Sequence, residues 1–147
     1  MTQLVKIKDV EILSGEDTVA AKYNRPFEKL IISFLDDLSK NIRKSKESFF
    51  YPDLITFSFW CRKGNINVLK LNYSDIKNRF GRGILFHIAP SNVPLNFGYT
   101  FIFGLLSGNA NIIKISSKFF PQTMILINLI NSLYKKKEYQ ILKKTNQ

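Results

Sequence analysis

The sequence predicts an α/β protein with an N-terminal, mainly helical region over residues 1–80. A strand-helix-strand-helix unit over residues 81–147 follows, forming the first half of a parallel α/β sheet. Three observations predict it. Apolar residues from Phe27 to Ile42 recur at helical spacing. Two short apolar runs, at residues 84–88 and 112–115, are separated by a segment of helix length. A composition of 45% hydrophobic and 14% aromatic residues over 147 positions is that of a chain that packs a core, which excludes disorder as the overall state.

In chain order, residues 4–13 set Val5, Ile7, Val10 and Ile12 among Lys6, Lys8, Asp9 and Glu11, a rough period of two that fits one or two short strands. From Asn24 the pattern changes. Pro26 suits a first helical turn behind an Asn24 cap, and Phe27, Leu30, Ile31, Phe34, Leu35, Leu38 and Ile42 form one apolar face. After a basic break, Pro52 and Asp53 open a second helix carrying Leu54, Phe57, Trp60 and Cys61, although the alternation of Phe57 and Phe59 also suits a strand. Gly64 and Asn65 read as punctuation, and the polar stretch to Arg82 as short helix or loop.

At Gly83 the pattern changes again. The run Ile84-Leu85-Phe86-His87-Ile88 reads as a buried strand, and Ala89-Pro90-Ser91-Asn92-Val93-Pro94 as the tight loop that leaves it. A helix from Pro94 to Ser107 ends at Gly108-Asn109, residues that tolerate positive φ. Ile112 to Ile115 gives a second strand and Phe120 to Lys135 a further helix. Two strands joined by one helix require a crossover, which is right-handed and leaves the strands parallel. Ligands of open α/β sheets bind where loops leave the carboxyl ends of strands, here Ala89–Pro94 and Ser116–Lys118.

The net charge of +11 raises nucleic acid, an anionic membrane face or a phosphorylated ligand as partners. The basic residues come in scattered twos and threes, as on solvated faces, so no nucleic acid is expected. One cysteine, Cys61, and one histidine, His87, exclude a thiolate zinc cluster, and no metal is expected. The N-terminus lacks an apolar leader run, so a cytoplasmic location is expected. The longest apolar stretches fall short of the ~20 residues of a spanning helix, so no membrane span is expected.

The loop residues carry the chemistry. Asn92 has a side-chain NH2 able to donate to developing negative charge, or it caps the helix behind it. That helix N-terminus offers free N–H groups to an anion such as a pyrophosphate. Lys114 interrupts an apolar strand at its carboxyl end, either reaching a ribose hydroxyl or phosphate or extending to water at a sheet edge. Gly81-Arg82-Gly83 precedes its strand and so lacks the Gly-rich turn mechanism. Cys61 reads as an inert buried thiol and His87 as a satisfied core histidine.

The segment GRGILFHIAPSNVPLNFGYTFIFGLLSGNANIIKISSKFFPQ, residues 81–122, closely resembles the signature region of the acyl-CoA reductase family typified by the fatty-acid reductase of bacterial bioluminescence. FSFWCRKGNI, residues 57–66, resembles that family's second hallmark, and the similarity runs from about Asn24 onward. The family is in turn similar to the aldehyde dehydrogenase superfamily, which implies a Rossmann-like sheet of that type, present here as an incomplete half. Matching the superfamily's Pro-Trp-Asn loop and strand-end Lys-Pro-Ser-Glu, the resemblance makes Asn92 the oxyanion donor and Lys114 the ribose contact. It places Pro90, Ser91, Asn92, Lys114 and Ser117 at the coenzyme. Ser91 stands where those dehydrogenases keep tryptophan, and Ser117 where many NAD-preferring members have glutamate, which favours NADPH.

The implied reaction is reduction of an acyl group, taken by a cysteine from CoA or an acyl carrier, to an aldehyde by hydride from NADPH. The family's cysteine lies well downstream of these strands, and Cys61 sits on the wrong side of the motif. The expectation is therefore an N-terminal portion of a longer reductase, inactive alone, with a neighbourless second strand inviting a complementing C-terminal chain or self-association. The alternative is a non-catalytic binding module or split subunit.

Overall fold

The computed structural model describes residues 11–73 and 75–147. The strands expected over residues 4–13 fall mostly outside that range, and Glu11–Leu13 are irregular.

The first helix, α1, spans Lys29–Lys44 and starts later than the Asn24 cap predicts. Phe27 explains the delay. Its φ of 56° is a left-handed conformation that no α-helix accommodates, so Pro26 and Phe27 form a turn. That turn is held by the Phe27 N–H donating to the Leu106 carbonyl at 2.8 Å, while the Asn24 N–H donates to Gly108 O at 2.8 Å. Asn24 thus ties the chain to the sheet and caps nothing. Arg43 and Lys44 in the last turn of α1 complement its negative end.

Helix α2, Pro52–Trp60, has Pro at its start and Asp53 in its first turn, settling the helix-or-strand ambiguity at Phe57 and Phe59. Helix α3, Lys63–Leu71, follows at once, so Gly64 and Asn65 lie inside a helix instead of breaking the chain. Strand β1, Ile84–Ile88, helix α4, Asn96–Leu106, strand β2, Ala110–Lys114, and helix α5, Pro121–Tyr134, keep the predicted order. Gly108, at φ +84°, provides the reversal after α4. A short helix α6, Gln140–Thr145, follows and was not foreseen.

The two strands are parallel, in register from Ile84 opposite Ala110 to Ile88 opposite Lys114. The far edge of β2 is not neighbourless, which corrects that expectation. Gln147 N–H donates to Asn111 O at 2.9 Å, Ile113 N–H donates to Gln147 O at 2.8 Å, and Asn146 bridges Asn111 in parallel.

Strand β1 is not the buried strand expected of its composition. Helix α4 packs on one face of the sheet, whereas Phe86 and Ile88, which point the other way, are 59% and 72% exposed. The core lies instead among the helices, with α1 at its centre against α2, α3, α4 and α5. Phe34 of α1 is its hub: fully buried, stacked on Tyr134 at 5.7 Å and edge-on to Phe101 and Tyr139. Such pairs add about 0.5–1.5 kcal/mol each beyond the area they bury. Buried residues from α1 to α6 form one continuous cluster.

Candidate functional site

A single backbone bond assembles the strand ends. Ala89 N–H, the first amide after β1, donates to the Lys114 carbonyl, the last of β2, at 2.9 Å. Loop 89–95 is thereby held beside loop 115–120. A second tie, from the Thr123 hydroxyl to the Pro94 carbonyl at 2.9 Å, fixes the far end of the first loop to the start of α5. Between the loops lies a notch lined by Pro90, Val93, Phe97, Ser116, Lys118 and Thr123 among others, enclosing about 10 Å³, room for one water molecule.

Of the sequence-predicted site residues, Pro90 lines the notch, while Ser91, Asn92, Lys114 and Ser117 are exposed on the same end of the sheet, outside its lining. Asn92 does not cap α4. Leu95 occupies the capping position without a side-chain bond, and the Asn92 amide has no protein partner among the described residues. The first turn of α4 is less open to an anion than expected, since Asn96 N–H donates to Val93 O at 3.3 Å and Gly98 N–H to Leu95 O at 3.0 Å.

Ser116 and Lys118 bound the second loop at which the sequence places a ligand, although it assigns neither side chain a role there. The Ser116 hydroxyl accepts the Lys118 N–H at 3.0 Å, and the Lys118 ammonium lies 5.0 Å from the Phe120 ring centroid. The signal available was a second lysine at the tip of the loop after β2. Lys114 and Lys118 therefore bracket that loop, with neither in an ion pair among the described residues and no carboxylate in the notch lining. The combination suits a phosphate-bearing ligand.

His87 and Cys61 take no part. The His87 Nε2 lies 3.0 Å from the Asn111 Oδ1, so the proton is assigned to Nε2 as donor, as befits a satisfied structural histidine. Cys61 is fully buried in the helical core, and burial pushes its thiol well above the usual range, away from the reactive thiolate. Among the described residues no three His, Cys, Asp or Glu side chains come together as metal ligands, and no helix is long and apolar enough to cross a membrane.

Comparison with known proteins bears on these loops. Neither curated proteins nor solved structures yield a match to the chain. A family model described as Acyl-CoA reductase (LuxC) matches residues 66–144, a stretch that contains both strands, the helix between them and both strand-end loops. That match covers more than half of the chain, which accordingly belongs to the acyl-CoA reductase (LuxC) family.

Proposed function

We propose that this chain supplies part of the coenzyme site of an NADPH-dependent reductase that converts an activated fatty acyl group to an aldehyde. The observation that carries the reading is the Ala89–Lys114 bond, which brings two lysines and two polar side chains without partners among the described residues, Asn92 and Ser117, to one end of a parallel sheet beside a notch whose lining has no carboxylate. The donor set fits such a coenzyme. Lys114 and Lys118 would hold its phosphates and ribose, and Ser117, lacking a carboxylate, would tolerate a 2′-phosphate. The aldehyde-dehydrogenase type of sheet belongs to the same proposal.

Bound there, the coenzyme supplies hydride. The chain's own part is to bind, to orient, and to offer the Asn92 amide as a donor to an oxygen that gains negative charge. The acyl-bearing thiolate must come from elsewhere, because Cys61 is the chain's one cysteine and is sealed in the core. The substrate is an acyl-CoA or acyl carrier, and a cysteine-bearing catalytic partner, whether a C-terminal chain or a segment continuous with this one, would complete the site. By itself the chain binds coenzyme and does not turn over.

The test is a fluorescence titration of the chain with NADPH. Saturable binding that weakens about tenfold or more in Lys114→Ala, the loss of one charge-assisted hydrogen bond, is expected. Absence of binding, both alone and beside a cysteine-bearing family member's catalytic half, would overturn the reading.

A further inference from the structure

The Phe57–Ile66 motif has no role in the strand-end loops, yet it builds a second cleft. We propose that the open cleft of about 490 Å³ between α1 and α3, bounded by Arg43 and Arg62 on either side of Phe59 in sequence, binds the phosphate of a small phosphorylated molecule. None of the strand-end residues takes part, and the proposal stands whatever coenzyme those residues hold.

The two arginines carry it. Their guanidinium carbons lie 5.8 and 4.7 Å from the centroid of the same ring, that of Phe59. Each is pinned through Nε to a backbone carbonyl: Arg43 donates to Ser39 O at 3.3 Å, and Arg62 to Phe59 O at 3.3 Å. Arg43 also donates from Nη2 to the Ser39 hydroxyl at 3.3 Å. The remaining Nη donors are unused, and neither arginine has an ion-pair partner among the described residues. Both guanidinium groups thus lie within about 6 Å of the centroid of one ring with Nη donors to spare, and an anion reaching both would accept from each fork.

The cleft's one carboxylate, Asp36, does not neutralise them. One of its oxygens pairs with the Lys40 ammonium at 2.7 Å, and the other accepts the Lys63 N–H at 3.0 Å. At the start of α3 that carboxylate caps only the Lys63 N–H, the following first-turn amides have no side-chain partner among the described residues, and a Cβ on Gly64 would meet nothing within 4 Å. Val68, 62% exposed, offers an apolar wall to the remainder of a ligand. The volume lies within the roughly 300–1,000 Å³ of small-molecule sites, although the cleft is widely open.

The experiment is isothermal titration of the full chain with inorganic pyrophosphate and, separately, with adenosine 3′,5′-bisphosphate at low salt. Saturable binding is expected that falls with added salt and drops about tenfold or more in the Arg43→Gln/Arg62→Gln double variant. Gly64→Asp should abolish it without loss of thermal stability, because a carboxylate in the first turn suits the helix while repelling the ligand. In Lys114→Ala/Lys118→Ala, which removes the strand-end phosphate contacts, the arginine-dependent binding should persist. Tighter binding of the nucleoside bisphosphate assigns the site to a nucleotide, and equal binding to a free anion; both support a phosphate site. Three results overturn it: no saturable binding of either probe, undiminished binding in the arginine variant, or complete loss in the lysine variant.

Discussion

The amide of Asn111 fills the place that a side chain on Gly104 would take: a Cβ built on that glycine of α4 collides with the Asn111 Oδ1. Asn111 is completely buried, and its Nδ2 donates to Asn146 Oδ1 at 2.7 Å and to Asn109 O at 3.1 Å, while its Oδ1 accepts from His87. A buried amide so satisfied joins both strands to the last residues of the chain. Gly104→Ala is therefore expected to destabilise the protein by roughly 1–3 kcal/mol through overpacking. At about 2–4 °C per kcal/mol for a domain of this size, a thermal melt will register it. In an Asn111→Ala background, where the colliding amide is gone, the same substitution should cost clearly less. Equal costs in both backgrounds would show that the glycine is required for some other reason.

Acid sensitivity is expected at Asp37. Partial burial pushes its carboxyl up, but hydrogen bonds from Lys136 at 2.8 Å and Tyr139 at 3.1 Å, with the nearby lysine charges, outweigh burial and hold it below the usual carboxylate range. The folded-state pKa is depressed relative to about 3.9 in the unfolded chain. The resulting stability is complete above the unfolded value and is lost as the pH falls through the folded one. Asp37→Asn should lower the urea midpoint at pH 7, and the gap to the wild type should close below about pH 4. A gap that persists at pH 2 would locate the effect in packing instead of charge.

Cys61 should behave as a concealed thiol. With its side chain fully buried and its ionisation pushed up by burial, a thiol-specific disulfide reagent should react negligibly with the native chain. Labelling across a urea series should rise together with the loss of helical circular dichroism. Rapid native-state labelling would reopen Cys61 as a candidate nucleophile.

How far the sequence carried the fold follows from where its patterns are local. The order β1, α4, β2, α5 was legible because Pro90, Pro94 and Gly108 punctuate apolar runs whose lengths separate strand from helix. The parallel direction of the strands followed from their single-helix crossover. What escaped depends on distant partners. The exposure of Phe86 and Ile88 reflects, among the described residues, a helix layer on one side of the sheet, which a five-residue run does not encode. The left-handed Phe27 is held by Leu106, some eighty positions away, and so the helix start at Lys29 was invisible. The pairing of Gln147 with β2 likewise spans dozens of residues. At the strand ends, the loops were legible as loops, whereas the participation of Lys118 needed the path of the chain around Phe120. The second cleft needed Arg43 of α1 and Arg62 before α3 to approach the same Phe59 ring.

Coenzyme choice should turn on Ser117. It is exposed three residues beyond Lys114, and with the proposed coenzyme bound there its hydroxyl, unlike a carboxylate, would tolerate a 2′-phosphate. Ser117→Glu should therefore weaken NADPH binding by about tenfold or more, the scale of one charge-assisted contact replaced by repulsion, while leaving NADH binding equal or tighter. Because the side chain is exposed, the substitution should leave the melting temperature within about a degree of the wild type, as surface changes usually do. The measurement is a paired fluorescence titration with both nucleotides. A parallel loss of both would assign Ser117 to a general role in seating the phosphates. If neither affinity moves, the coenzyme's 2′-position lies away from the loop after β2, and selectivity must be sought around Lys118 instead.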